Sequence, residues 1–262
     1  MSKNEIKYYS KLKQKKYRES EGLFLIEGIN LIEECLKSPS YRNLLTKVFV
    51  RNDFPYTEFL SSVSGSAPHI QVISTDNSGI KALSETVNSQ GIIGIVKTNP
   101  EFENSHTGKD KSGLMVLLDC INDPGNLGTI IRTCYWYGVD KIYLSNYSVD
   151  VYNSKVLRSS QGAVFHVNIE SNADAVNITD KLYRDNFEII LTDLKTDEYV
   201  SDFKFNAMNN YLLVFGNESN GITGAILENK NYTRLKIRGF SECEALNIGI
   251  SAGMLLDRIR NC

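Results

Sequence analysis

The stretch Asp119-Cys-Ile-Asn-Asp-Pro-Gly-Asn-Leu-Gly-Thr-Ile-Ile-Arg132 decides the fold. It leaves the apolar run Leu114–Cys120, turns at Pro124-Gly125 and enters a segment in which Leu127, Ile130/Ile131 and Cys134 recur at helical spacing. A continuous apolar run followed by a turn and an amphipathic helix is the unit from which a buried parallel sheet is built. Ligands in such sheets sit outside the carboxyl ends of the strands, where Asn126 and Arg132 fall. Gly128, Arg132 and Trp136 are four apart and share a face away from the apolar stripe. An arginine there suits a phosphate or a developing oxyanion, although a surface ion pair is the usual fate of a helical arginine.

Working outward, Lys141–Leu144, Val164–Ile169, Glu188–Leu194 and Tyr211–Phe215 read as further strands. Helical stretches over Leu127–Tyr137, Ser154–Gln161, Ala173–Arg184 and Ala245–Arg260 alternate with them. The fold class is α/β, a parallel sheet covered by helices on both sides. After the strand ending at Gly216, a polar turn carries Asn217, Glu218 and Asn220 before Gly221. It reads either as a ligand loop or as a tight turn with Asx hydrogen bonds. The last helix opens after Glu242-Cys-Glu-Ala-Leu-Asn247 and carries Gly249 and Gly253, a small-residue track. Each helical glycine costs about 1 kcal/mol, so the track implies close packing, and a tight dimer suits it.

The polar stretch 99–113 breaks the periodicity and divides the 262 residues into an N-terminal domain (1–100), a linker (101–112) and a C-terminal domain (113–262). The first of these is a small α/β domain: Glu27–Leu36 has helical spacing, while Lys47–Arg51, Ile70–Ile73 and Gly91–Val96 read as strands. Net charge is −2, but residues 3–18 carry +6 and leave −8 on the remainder. Lys11, Lys13, Lys15, Lys16 and Arg18, interleaved with Tyr8, Tyr9 and Tyr17, make an arm suited to RNA phosphates and bases. The same residues also suit a solvated amphipathic helix with Ile6, Tyr9 and Leu12 turned inward. Five scattered cysteines, no CxxC, no apolar leader and no apolar run of about 18 residues point to a reducing cytoplasm, with no membrane span. The three histidines lack metal-like neighbours, so no metal is expected.

Taken together and in this order, the motifs resemble the three signatures of the TrmH (SpoU) family of the SPOUT superfamily. The family pattern N-x-G-x-x-x-R corresponds to Asn126, Gly128 and Arg132. Its G-x-E-x-x-G corresponds to Gly216, Glu218 and Gly221, and its E-S-L-N to Glu244-Ala245-Leu246-Asn247. Leu12–Arg18 followed by Phe24-Leu-Ile-Glu-Gly28 resembles the family's RNA-binding module. The resemblance implies a deep trefoil knot in the C-terminal domain, a homodimer formed through that domain with catalytic residues gathered across the interface, and S-adenosyl-L-methionine as methyl donor. It implies donor contacts at Gly216, Ile237 and Leu246, and a catalytic cluster of Asn126, Arg132, Glu218 and Asn247. Two motifs depart from the pattern. Ala245 stands where the family has serine, and Ile237-Arg238-Gly239 where it has Ile-Pro-Met.

The implied activity is 2′-O-methylation of a ribose in structured RNA; ribosomal and transfer RNA both remain open, and the N-terminal module tilts the reading towards ribosomal RNA. A guanidinium is hard to deprotonate. Arg132 is therefore expected to bind the phosphate beside the target and to stabilise the alkoxide, held in place by Glu218 and Asn126. The altered cofactor loop and Ala245 leave a second reading, an RNA-binding protein that has lost catalysis. An unrelated nucleotide-binding enzyme is disfavoured, since no G-x-G-x-x-G or P-loop pattern follows a strand.

Overall fold

A computed structural model describes residues 2–98 and 113–262. The linker expected over 101–112 lies outside the described residues. The chain divides into two compact units, Met1–Pro100 with Tyr152–His166, and Glu101–Val151 with Val167–Cys262.

The first unit begins with α1 (Lys3–Ser10), a 3-10 turn over Lys11–Lys13, and α2 (Lys15–Glu21). β1 (Leu23–Glu27), α3 (Ile29–Lys37), β2 (Leu45–Arg51), α4 (Thr57–Ser66), β3 (Gln71–Thr75), α5 (Asn77–Leu83) and β4 (Ile92–Lys97) follow. The sheet order is β1-β4-β2-β3, with β4 antiparallel to both neighbours and β2 parallel to β3. Of the two readings of the basic segment, its backbone follows the amphipathic helix. Tyr9 and Leu12 are buried in a cluster with Phe49, Ile80, Leu83, Ile93 and Ile95, and Ile6 is half-buried. Ser2 and Glu5 close a capping box at the start of α1, satisfying amides that a helix terminus leaves bare.

The second unit holds β5 (Leu114–Leu118), α6 (Pro124–Trp136) and β6 (Lys141–Ser145). The chain then contributes α7 (Ser154–Ser160) to the first unit before returning with β7 (Ile169–Ala173), α8 (Ala175–Arg184), β8 (Phe187–Thr192), β9 (Asn210–Phe215), α9 (Gly224–Leu227), β10 (Thr233–Leu235) and α10 (Ile248–Arg260). All six strands are parallel, in the order β10-β8-β9-β5-β6-β7. From β5 the chain goes outward through β6 to β7, then crosses to the other side of β5 for β9, β8 and β10. The strand order therefore reverses between β5 and β9, and the crevice at that point lies outside their carboxyl ends.

One expected strand is misplaced. Val164–Ile169 is not a strand: Ala163–Phe165 is a 3-10 turn and β7 starts only at Ile169. Gln161 and Gly162 take positive φ, 52° and 86°, which ends α7. The apolar run after them is buried as a turn: Phe165 packs edge-on to Tyr41, and Ser38 Oγ donates to the Phe165 carbonyl at 2.6 Å. A short apolar run shows burial, not conformation. The three-residue β10 carries too little pattern to read in advance.

Candidate active site

The turn after β5 is built on a buried acid. Asp119 is 2 % exposed; its Oδ1 accepts from Ser145 Oγ at 3.0 Å and its Oδ2 from the Thr223 amide at 2.7 Å. A buried carboxylate needs such donors, and here they tie the ends of β5 and β6 to the segment after β9. Cys120 follows with φ 56°, swinging the chain off the sheet. Asp123 then caps α6 by accepting from the Asn126 amide at 2.7 Å, with Pro124 in the first turn.

The turn after β9 folds back on itself. The Asn217 amide donates to the Gly221 carbonyl at 3.0 Å and the Gly221 amide to the Asn217 carbonyl at 2.9 Å. A Cβ at Gly216 would overlap the backbone of Gly221 and Ile222, so only glycine fits. Asn217 Oδ1 accepts from the Ser219 and Asn220 amides, and its Nδ2 donates to the Cys120 carbonyl at 2.8 Å. The Asx turn is present, and it also binds one motif loop to the other. Asp119 and Asn217 are site-building residues that sequence reasoning quoted but assigned no role. An acid closing the apolar run Leu114–Leu118 was the available signal.

Three of the four expected catalytic residues form one chain of hydrogen bonds. Asn247 Nδ2 donates to Asn126 Oδ1 at 2.9 Å, and Asn126 Nδ2 donates to Glu218 Oε1 at 2.8 Å. Asn247 Oδ1 meanwhile caps α10, accepting from the Gly249 amide at 2.8 Å. This cap starts the helix at Ile248, later than the expected Ala245, and leaves Ala245 and Leu246 exposed. The order runs from a helix cap through an amide to a carboxylate. Its other oxygen, Glu218 Oε2, has no partner among the described residues. A carboxylate held at one oxygen and open at the other can accept a proton or grip a cation.

Arg132 does not join them. It is exposed and makes no hydrogen bond or ion pair among the described residues, so Glu218 and Asn126 hold each other rather than the arginine. Helix geometry supplies the reason: six residues along α6 separate Arg132 from Asn126 by about 9 Å and about 120° of rotation.

The small-residue track on α10 packs closely against another helix, as its spacing implies. Gly249 and Gly253 face α6 of the same chain, where a Cβ would meet Thr129 Cγ2 at 3.0 Å and Thr133 Cγ2 at 3.7 Å. The glycines let two helices of one chain approach. Trp136 at the end of α6, Leu246 just before α10, and Ile250 and Met254 on α10 are all exposed.

Two of the three expected donor contacts lie just past carboxyl strand ends, and the third lies in the segment before α10. Gly216 follows β9, Ile237 follows β10, and Leu246 precedes Asn247. The backbone amides and carbonyls of Ile237 and Leu246 make no hydrogen bond among the described residues. Unpaired backbone donors and acceptors beside apolar side chains are the groups that read the edge of a purine, so the residues present fit an adenosine-containing donor.

In the basic segment, Lys11, Lys15 and Lys16 are exposed, and Lys11 and Lys16 lie 5.5 Å and 5.7 Å from the Tyr17 ring centroid. Lys13 is half-buried and donates to the Ser84 carbonyl at 2.7 Å. Arg18 departs from the expectation of an RNA contact. It is 5 % exposed, and its Nη1 donates to the Leu12 and Lys13 carbonyls, both at 2.9 Å. Its charge is used inside the fold, closing the turn between α1 and α2.

Residues 113–257 match the SpoU rRNA Methylase family, and residues 3–94 the MRM3-like substrate binding domain. The chain is 30 % identical over 255 residues to a 23S rRNA (guanosine(2553)-2′-O)-methyltransferase, RlmP, from Bacillus subtilis (strain 168), covering 97 % of this chain and 95 % of that protein. It is 34 % identical over 170 residues to mitochondrial rRNA methyltransferase 3 of Mus musculus, covering 62 % of this chain and 38 % of that one. A solved TrmH-family structure from Porphyromonas gingivalis superposes with a TM-score of 0.82 at 26 % identity, covering 100 % of this chain and 98 % of that chain. With its motif residues at the β5/β9 crevice and this family match over more than half its length, the chain belongs to the SpoU rRNA methylase family.

Proposed function

We propose that this protein transfers a methyl group from S-adenosyl-L-methionine to a ribose 2′-hydroxyl of ribosomal RNA. The observation that carries the reading is the Asn247–Asn126–Glu218 chain beside Gly216. The relative from Bacillus subtilis is named for 2′-O-methylation of 23S rRNA, which supports ribosomal over transfer RNA. When bound, the donor supplies an electrophilic methyl on a sulfonium. Glu218, aimed by Asn126, takes up or relays the proton of the attacking hydroxyl. Orientation of this kind supplies several kcal/mol.

The chain acts as a homodimer in which Arg132 reaches the Glu218 of a second copy. The lack of a partner for Arg132 and for Glu218 Oε2 among the described residues, and the exposed Trp136, Leu246, Ile250 and Met254, support this. There Arg132 holds the phosphate beside the target and steadies the alkoxide. The exposed Lys11, Lys15 and Lys16 contact RNA phosphates. The C-terminal unit closes the family's trefoil knot around the donor loops. The protein works in the reducing cytoplasm, where its five unpaired cysteines persist.

The test is transfer of labelled methyl from S-adenosylmethionine to ribosomal RNA, with mapping of 2′-O-methyls in cells with and without the protein. Loss of one ribosomal 2′-O-methyl supports the reading. Donor uptake without transfer would identify a binding protein that no longer catalyses, and loss of a transfer-RNA methyl would move the substrate.

A further inference from the structure

We propose that a zipper of acids and bases centred on Tyr199 holds the donor loop, with Tyr199 and Arg238 as its positioning residues. The inference rests on the methyl-donor reading above. β10 and its continuation present Arg234, Lys236 and Arg238, every second residue, which strand geometry places on one side. The connector after β8 presents Asp193, Asp197 and Asp202. The two sets pair in order. Arg234 Nε donates to Asp193 Oδ2 at 2.8 Å, Lys236 Nζ lies 3.8 Å from Asp197 Oδ1, and Arg238 Nη2 donates to Asp202 Oδ2 at 2.9 Å.

Tyr199 stands in the middle of the connector, and its ring meets two of these cations. The Arg238 guanidinium carbon is 4.1 Å from the ring centroid and Lys236 Nζ is 5.0 Å from it. The backbone is joined at the same place: the Lys236 amide donates to the Glu198 carbonyl at 3.0 Å, and the Val200 amide donates to the Lys236 carbonyl at 2.9 Å.

Ile237 therefore sits between two anchored residues. Lys236 is fixed through its backbone and Arg238 through its side chain, while the amide and carbonyl of Ile237 have no partner among the described residues. The family pattern has proline at position 238, a residue whose ring restricts the backbone directly. Here a stacked and paired arginine restrains the same point through tertiary contacts. An exposed ion pair alone contributes little, but a guanidinium stacked on an aromatic ring adds to it. Holding a loop in its bound shape raises affinity by lowering the ordering cost.

The test uses the full-length protein, with calorimetric titration of S-adenosylmethionine and steady-state kinetics on ribosomal RNA. Arg238→Ala and Tyr199→Ala are expected to weaken donor affinity, and to raise the donor KM, by about tenfold. Turnover at saturating donor should stay within about twofold, since the Asn247–Asn126–Glu218 chain is untouched. Tyr199→Phe keeps the ring and should bind the donor as the unaltered protein does. If Arg238→Ala does not fold, Arg238→Gln carries the test. Unchanged donor affinity in both the Arg238 and Tyr199→Ala variants, or a loss confined to kcat, overturns the zipper alone. Failure of the unaltered protein to take up donor removes the donor reading and the zipper with it.

Discussion

At the scale of single residues, two arginines exchange the roles that composition suggests for them. Arg18 lies in the most basic stretch yet binds two carbonyls, whereas Arg132 makes no hydrogen bond or ion pair among the described residues. Hydrogen bonds to charged groups contribute about 1.5–3 kcal/mol each, and both of these end on one guanidinium nitrogen. Arg18→Ala should therefore destabilise the protein by about 2–4 kcal/mol in urea unfolding. Lys15→Ala combined with Lys16→Ala should leave that midpoint unchanged and weaken RNA binding in a salt-dependent way. A third residue gives a pH signature. Burial pushes the Glu27 carboxyl up, but the hydroxyls of Ser84, Thr86 and Ser89 and the Glu85 amide outweigh it and hold the pKa below the ordinary 4.5. The folded state thus binds this proton less readily than the unfolded chain. The contribution is complete above pH 4.5 and is lost as pH falls through that value towards the depressed one. Glu27→Gln should lower stability at neutral pH and flatten the acid limb of the stability curve. An unaltered limb would mean that other carboxylates set it.

At the scale of elements, the start of α10 couples stability to chemistry. Asn247 uses Oδ1 to cap the helix and Nδ2 to aim Asn126. Asn247→Ala should cost about 1 kcal/mol as a lost cap and reduce turnover by about a hundredfold. Asn247→Asp separates the two roles. It keeps an oxygen for the Gly249 amide and so should unfold at nearly the same denaturant concentration, but it loses the donor and gains a charge near Glu218, so turnover should fall as far as in Asn247→Ala. Parallel losses of stability and activity in both variants would show that Asn247 acts only as a cap. The starts of α6 and α10 were legible in outline because side-chain oxygens before apolar stripes mark helix starts. The expected α10 began three residues early because Ala245 and Leu246 are good helix formers, while Asn247 imposes the extended backbone of a cap.

At the scale of the whole molecule, the proposed dimer makes a prediction that a single-chain site cannot meet. Arg132→Ala and Glu218→Ala subunits, each inactive alone, should regain activity when mixed and re-equilibrated. Half the dimers would be mixed and one of their two sites complete, giving about a quarter of full activity. Absence of any recovery in verified mixed dimers would place Arg132 outside the reaction of the other subunit. The parallel sheet and the turns that open α6 and follow β9 were legible in the sequence, because strand burial and turn chemistry are written in neighbouring residues, whereas Asn126, Glu218 and Asn247 were singled out by the resemblance to the family's motifs. It took the folded chain to reveal that Asn126 bonds residues 92 and 121 positions away, that α7 packs with the first unit, that Arg18 is buried, and that Arg238 stacks on Tyr199. Apart from the local bonds of Arg18, those contacts join segments whose local patterns carry no record of each other, because long loops must close before they can meet.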